Sequence, residues 1–201
     1  MVKNVIFDVG RVLVDWEPDP VLRSLGFDGE TSRIVAEATV YSEDWKEFDR
    51  SVVKGEEMLA KFISNAPAYE KEICLMWDNV GLTIHKRLYA SEWVQSLRAS
   101  GYHVYILSNY SRWTYAQTLE ELSFVKDADG ALFSFEVGQI KPEPEIYQSL
   151  FARFHLKPEE CIFVDDCEEN IVAGKAQGMQ GIVFTSYEQA VSELAGYGVT
   201  C

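Results

Sequence analysis

The chain has 201 residues, of which 47% are hydrophobic and 25% charged, and a formal net charge of −14. This composition is typical of a globular domain and excludes disordered, collagen-like and disulfide-scaffold proteins. The sequence contains no apolar run near the roughly 20 residues that cross a bilayer, and its acidic charge repels nucleic acid and anionic lipid. We therefore expect no nucleic-acid partner and no membrane partner.

The chain begins with a short apolar run that is interrupted by Asp8 and does not resemble a secretion signal. The cysteines, which lack paired spacing, are Cys74, Cys161, Cys167 and Cys201. Both features favour free thiols in a reducing cytosol. We therefore expect a cytoplasmic protein.

The first element is a buried strand over residues 2–8, where β-branched and aromatic residues cluster in a run too short for a helix. Residues 16–87 then carry helical patterns separated by breakers, with no convincing strand. These helices are predicted at 20–27, 30–41, 42–51, 55–67 and 69–80.

From about residue 88, strands and helices alternate. Strands are predicted at 103–109, 131–137, 161–166 and 181–184, and helices at 85–101, 111–123, 142–154, 169–178 and 187–198. Such alternation predicts βαβ units and a doubly wound parallel sheet in a three-layer α/β/α domain. We predict a core of residues 1–15 and 88–201, with residues 16–87 inserted as a helical cap.

Polar side chains follow four of the predicted strands. In an open parallel sheet, ligands bind outside the carboxyl ends of the strands. Three carboxylates at one edge need a cation, and a few carboxylates are typical of Mg²⁺ sites. A hydroxyl, an amide and a lysine beside such a metal suit a phosphate group. The residues at these strand ends are Asp8, Ser108, Asn109, Lys141, Asp165 and Asp166.

Four segments give the chain a resemblance to a known family. In chain order they read VIFDVGRVL, ILSN, IKPEPEIY and FVDDCEENI. The sequence resembles the haloacid dehalogenase superfamily of hydrolases, in the branch with a helical cap after the first strand. Within it, the chain is similar to sugar-phosphate phosphatases and to the phosphatase domain of soluble epoxide hydrolase. The resemblance implies a Rossmann-like core.

The resemblance also implies roles for individual residues. Asp8 matches the nucleophile that attacks phosphorus and forms an aspartyl-phosphate. Ser108 matches the hydroxyl that binds the transferring phosphoryl group, with Asn109 assisting, and Lys141 matches the lysine that neutralises negative charge. Substrate binding is therefore expected at Ser108, Asn109 and Lys141.

The metal site follows from the same resemblance. Asp165 and Asp166 match the acidic pair that holds Mg²⁺ together with Asp8 and the backbone carbonyl of Gly10. Such a metal lets an anionic nucleophile approach an anionic phosphate, because phosphoryl transfer depends mainly on positioning and charge stabilisation.

Gly10 departs from the phosphatase pattern. That position usually carries a second aspartate, which protonates the leaving oxygen and then activates water. General acid–base catalysis of this kind contributes on the order of 10²–10⁴-fold. Asp15, seven residues after the nucleophile, is one candidate to replace it. In the cap, Trp45, Phe48 and Asp49 share one helical face, which predicts core packing for the two aromatic side chains.

The resulting prediction is a Mg²⁺-dependent phosphatase of a small phosphorylated metabolite, such as a sugar phosphate. Two alternatives stay open. A 2-haloacid dehalogenase also lacks the second aspartate but uses no metal, and a non-catalytic phosphometabolite-binding protein needs no proton donor. The sequence leaves the substrate, the cap residues that select it and the oligomeric state open.

Overall fold

The structure, a computed structural model, describes residues 1–200. Its central sheet has the strand order β5-β4-β1-β6-β7, with every neighbouring pair parallel. The strands are β1 (Asn4–Phe7), β2 (Val14–Trp16), β3 (Ile84–Lys86), β4 (His103–Ser108), β5 (Gly130–Phe133), β6 (Cys161–Asp165) and β7 (Gln180–Val183). The doubly wound parallel sheet predicted from the sequence is therefore confirmed.

The helices fall into a group before β3 and a group after it. The first group is α1 (Pro18–Ser24), α2 (Gly29–Ala38), α3 (Trp45–Arg50), α4 (Gly55–Asn65) and α5 (Glu70–Asp78). The second is α6 (Ala90–Ala99), α7 (Arg112–Gln117), α8 (Ser134–Val137), α9 (Pro144–Phe154), α10 (Glu168–Ala176) and α11 (Tyr187–Gly196). No helix within residues 1–200 has the length and apolarity that crossing a membrane requires.

Alternation along the strands produces the three layers. Val5 and Phe7 of β1 point into one apolar cluster, which includes Trp93 of α6 and Leu194 of α11. The residue between them, Ile6, joins a cluster on the opposite face that includes side chains of α9 and α10. Because successive side chains of a strand point to opposite faces, a strand buried on both sides reads as a continuous apolar run.

The helices α1–α5 enclose an apolar cluster of their own. It contains Phe48, Met58, Phe62 and Ile73, all at most 4% exposed. The chain enters and leaves this helical region through the antiparallel pair β2 and β3, which lies at both predicted boundaries of the cap. The sequence analysis missed this ribbon because three-residue strands are too short to show a period.

One predicted strand ends earlier than expected. The prediction extended it over 131–137, whereas β5 ends at Phe133 and α8 follows. The Ser134 hydroxyl accepts a hydrogen bond from the Tyr110 N–H at 2.8 Å, and α8 ends at Gly138, which has a φ of 68°.

Cys74, Cys161 and Cys167 are free thiols, as predicted. Cys201 lies outside the described residues.

Candidate active site

Three strand ends bring the predicted polar residues together. Strand β1 lies between β4 and β6, so the carboxyl ends of these strands are adjacent. Asp8 follows β1 directly, and its N–H donates a hydrogen bond of 2.9 Å to the carbonyl of Val164. Ser108 ends β4 and Asp165 ends β6. The edge where an α/β sheet binds its ligands therefore carries two carboxylates and a hydroxyl.

Lys141 joins two of these strand ends. Its Nζ donates a hydrogen bond of 2.6 Å to Oδ2 of Asp165 and lies 2.8 Å from Oδ1 of Asp8. The residue is 3% exposed. Burial lowers the pKa of Lys141, but the charges of Asp165 and Asp8 outweigh it and raise the pKa above its usual value. A permanent positive charge therefore lies against the Asp8 carboxylate.

The Asp8 carboxyl group is under electrostatic strain. Burial raises its pKa to about 7, and the charges of Asp165 and Asp166 add to this rise while Lys141 opposes it. Despite the short distance to Lys141, Oδ1 of Asp8 has no partner with the angles of a hydrogen bond. One lysine thus compensates the negative charge at this edge only in part.

The donor set fits a hard divalent cation. Asp8, Asp165 and Asp166 each offer a carboxylate oxygen, and these oxygens lie within 4.8 Å of one another. Burial and the neighbouring Asp165 raise the pKa of Asp166. Mg²⁺ binds oxygen ligands in proteins, carboxylates among them. The negative charge of the three carboxylates here is compensated only in part, which favours a bound cation. The poorly satisfied Asp8 oxygen supports the same interpretation.

Asp165 is fixed more firmly than its neighbour Asp166. Its Oδ1 accepts hydrogen bonds from the Cys167 N–H at 2.8 Å and from Nδ2 of Asn170 at 3.0 Å. Asn170 also reaches Oδ2 at 3.1 Å. Asp166 lines the cavity and has one long ion pair, 3.7 Å from Arg11. Sequence reasoning gave Asn170 no definite role, although its place in the first turn of α10 after the acidic pair was the available signal.

Ser108, the last residue of β4, and Asn109, which follows it, differ in their contacts. Asn109 donates from Nδ2 to the Lys141 carbonyl at 3.0 Å and accepts at Oδ1 from the Lys141 N–H at 2.7 Å. Its amide therefore holds the backbone of Lys141 in place. Ser108 is 1% exposed and lines the cavity beside Asp8. Only Ser108 of this pair has a side chain with no strong internal hydrogen bond, since its sole contact is 3.4 Å long.

A cavity of about 300 Å³ opens above this edge, between the sheet and the region of helices α1–α5. The indole rings of Trp16 and Trp45 form an aromatic wall on the side of these helices, with ring centroids 6.2 Å apart. The Arg11 guanidinium lies 4.9 Å from the centroid of Trp16. Arg11 has a φ of 58°, a conformation that the sequence did not reveal. The cavity therefore offers a charged floor and a largely aromatic wall.

Asp49 is a cavity residue that the sequence analysis placed on a helical face without a catalytic role. It lies near the end of α3 and lines the cavity with Asp8, Gly10 and Lys141. Burial raises the pKa of Asp49 to about 8, the charge of Asp8 adds to the rise, and Lys141 opposes it. Within residues 1–200, its carboxyl group has no hydrogen-bond or ion-pair partner.

Asp15, the candidate that the sequence suggested for the missing acid, has a different environment. It lies in β2 and accepts a hydrogen bond of 2.9 Å from Nε of Arg87. Its side chain is 46% exposed, and the residue does not line the cavity. The structure therefore gives Asp15 a role in holding β2 against Arg87, the residue that follows β3.

The three carboxylates and the buried lysine lie together at the carboxyl edge of a parallel α/β sheet, the edge at which proteins of this fold class bind their ligands. The chain matches the haloacid dehalogenase-like hydrolases over residues 2–178 and belongs to that family. It is 27% identical over 193 residues to a sesquiterpene phosphatase of Aspergillus oryzae, covering 96% of this chain and 94% of the relative. It is 30% identical over 190 residues to a D-ribitol-5-phosphate phosphatase of Bacteroides thetaiotaomicron, covering 90% of each.

A solved structure gives the same fold. A haloacid dehalogenase family enzyme of Bacteroides thetaiotaomicron, in complex with magnesium and inorganic phosphate, superposes with a TM-score of 0.71 and 19% identity. The match covers 94% of this chain and 99% of that one. The family and fold expected from the four sequence motifs are confirmed, and the phosphatase relatives support phosphatase chemistry.

Proposed function

We propose that this hydrolase is a Mg²⁺-dependent phosphatase of a small phosphorylated metabolite, such as a sugar phosphate. The observation that carries the proposal is the Asp8 carboxylate, which borders the cavity with Lys141 2.8 Å from its Oδ1 and two further carboxylates close by. Relatives that are phosphatases, at up to 30% identity over 90% of the chain, point to the same reaction.

Each residue of the strand edge has a role in this reaction. Asp8 is the nucleophile, and its attack on phosphorus forms an aspartyl-phosphate. Lys141 neutralises charge on Asp8 and on the phosphoryl group, and Asn109 keeps its backbone in position. Ser108 donates its hydroxyl to a phosphoryl oxygen. We also assign substrate binding to Asn109, through the remaining N–H of its amide.

The carboxylates of Asp8, Asp165 and Asp166, with the backbone carbonyl of Gly10, would hold Mg²⁺. The bound ion supplies positive charge that lets an anionic carboxylate approach an anionic phosphate. Asp165 contributes a rigid anchor, because Asn170 and the Cys167 N–H already orient it.

We further propose that residues 16–87 act as a cap over a core formed by residues 1–15 and 88–201. The separate apolar cluster of α1–α5 supports this division. In such an arrangement the core carries the charged groups and the cap encloses the rest of the substrate.

A substrate screen tests the function. Purified protein is incubated with phosphorylated metabolites and 4-nitrophenyl phosphate, with Mg²⁺ and with excess chelator, and released phosphate is measured. We expect turnover that requires Mg²⁺. Chloride release from 2-chloropropionate in chelator would instead support the dehalogenase alternative. Binding of phosphorylated compounds without turnover of any ester would support the non-catalytic alternative.

A further inference from the structure

Hydrolysis of a phosphate ester involves a proton transfer at two stages. When the P–O bond breaks, the departing oxygen gains an electron pair and needs a proton unless it leaves as a stable anion. When water attacks the aspartyl-phosphate, a base must take a proton from it. Gly10, at the position that usually supplies this group, has no side chain. The proton must therefore come from elsewhere in the cavity.

Among the carboxylates that line the cavity, Asp49 is the one outside the metal cluster. Asp8 and Asp166 belong to that cluster, whereas Asp49 lies on the cap and faces the cavity opposite the sheet edge. No hydrogen bond or ion pair within residues 1–200 engages its carboxyl group. A carboxyl group that lines the cavity and has no protein partner is free to exchange a proton with a substrate.

Contacts with the core hold the end of α3 over the strand edge. The Ser134 hydroxyl donates to the Asp49 carbonyl at 2.6 Å, and the Arg112 N–H donates to the Ser51 hydroxyl at 3.0 Å. The Arg50 guanidinium forms two hydrogen bonds, of 2.8 and 2.7 Å, with the carboxylate of Glu143. Asp49 therefore stands on a backbone that is fixed to the core on both sides.

We propose that Asp49 is the general acid and general base of this enzyme, an inference that rests on the proposed phosphatase function. In the first step an oxygen of Asp8 bonds to phosphorus, the bond from phosphorus to the leaving oxygen breaks, and Asp49 gives its proton to that oxygen. In the second step Asp49 takes a proton from water, whose oxygen bonds to phosphorus. The bond to Asp8 then breaks, and inorganic phosphate and the Asp8 carboxylate result.

The environment of Asp49 suits both steps. Burial holds its pKa well above the usual value for an aspartate, so the protonated form is present near neutral pH. A catalytic acid works best when its pKa lies near the operating pH. Its place in the last turn of α3 acts in the same direction, because the carboxyl end of a helix disfavours negative charge.

Asp49→Asn tests the proposal with a series of phosphate monoesters of graded leaving-group pKa. We expect alkyl phosphates to lose on the order of 10²–10⁴-fold in the first step. A good leaving group such as 4-nitrophenolate needs no proton, so the variant should release it in a stoichiometric burst and then turn over slowly. Asp44→Asn, at the residue that precedes the same helix and is paired with Lys61 and Asn65, is the matched control and should behave as wild type.

A second variant asks whether the missing group can be restored. Gly10 does not have a positive φ, and a Cβ added there would meet no atom within 4 Å. Gly10→Asp in the Asp49→Asn background should therefore recover alkyl phosphate hydrolysis and abolish the burst. Rescue by a carboxylate at the second site is a result that a merely structural role for Asp49 would not produce.

The outcomes separate the two proposals. No turnover of any ester by the wild type would overturn the phosphatase function itself. An active wild type whose dependence on leaving-group pKa is unchanged by Asp49→Asn would overturn the role of Asp49 alone. If Asp15→Asn instead made the rate depend steeply on leaving-group pKa, the role of proton donor would belong to Asp15.

Discussion

The two sides of the cavity are built differently. On the core side, charged side chains stand at the ends of parallel strands and are held by short bonds, such as the 2.6 Å contact between Lys141 and Asp165. On the cap side, Trp16 and Trp45 form an aromatic wall, and Asp49 is a carboxyl group with no partner within residues 1–200. The core side is thus electrostatically preorganised, whereas the cap side is shaped for contact with the body of a substrate.

This difference separates two tasks of phosphoryl transfer. Charge stabilisation requires groups that do not reorganise during the reaction, and strand ends in a packed sheet supply them. Proton delivery and substrate selection depend on the leaving group, which varies between substrates. With the roles proposed above, the helical region that carries Asp49 and Trp45 could vary while the sheet edge stays the same.

The largest effect is expected from the core side. Asp8→Asn replaces the nucleophile by a neutral amide of the same shape, and turnover should fall on the order of 10⁶-fold, as when a nucleophile is removed outright. The fold should survive, because the cost of burying this charge and its repulsion by Asp165 and Asp166 together outweigh its attraction to Lys141. Phosphate release and the melting temperature measure the two effects, and wild-type hydrolysis by this variant would contradict the assignment of Asp8.

A substitution that leaves a cavity in the apolar cluster of the cap tests whether core and cap are separate folding units. Phe62 is 1% exposed, and Phe62→Ala should cost about 3–5 kcal/mol of stability. We expect limited proteolysis to cut this variant first within residues 16–87. Phe124→Ala, in the apolar cluster that contains Val5 and Phe7 of β1, is the matched control and should instead make the core the first region that the protease cuts. Equal cleavage of both regions in both variants would mean that the chain unfolds as one unit.

Magnesium binding should stabilise the core side. A ligand at 100 times its Kd adds about 2.7 kcal/mol, which corresponds to roughly 5–10 °C in melting temperature for a chain of this size. Asp166→Ala should remove most of this response, because Asp166 is the cluster member that lines the cavity beside Asp8. Asp78→Ala, at an exposed position of the cap, should retain it. An undiminished response in Asp166→Ala would exclude Asp166 as a ligand.

The core side could be predicted from the sequence largely because its geometry is local. Asp8, Ser108 and Asp165 each follow an apolar run directly, and parallel strands bring such positions to one edge whatever the loops do. Lys141 followed from its motif, although its distance from Asp8 is set by the packing of α9 and by Asn109. The predicted strand over 131–137 was too long because apolar and aromatic residues continue into the helix α8.

The cap side was less predictable for physical reasons. Asp49 shares a helical face with Trp45 and Phe48, and that spacing predicts packing but does not say which side chain meets the core. Its position depends on long-range contacts, such as the bond from Ser134 to its carbonyl, that no local pattern encodes. Asn170 and Arg11 were missed for similar reasons, since the role of one and the left-handed backbone of the other depend on the folded loop.

The smallest effect is expected where the two sides are joined. Arg50 bonds to both oxygens of Glu143, which lies two residues after Lys141, and its side chain is 20% exposed. A partly exposed ion pair contributes about 0.2–1 kcal/mol, so Arg50→Gln should hardly change the melting temperature.

Its effect on catalysis should nevertheless be measurable, because the pair holds the end of α3 against the loop that carries Lys141. We expect kcat/KM to fall by up to about fivefold, the factor that corresponds to 1 kcal/mol, and the loss to be reproduced in the wild type at high salt, which screens the pair. Arg33→Gln breaks an exposed pair with Glu37 inside the cap, 2.9 Å long, and is the matched control. If the two variants were kinetically indistinguishable, the ion pair between Arg50 and Glu143 would not contribute to positioning Asp49, and the bonds made by Ser134 and Arg112 would have to hold α3 in place alone.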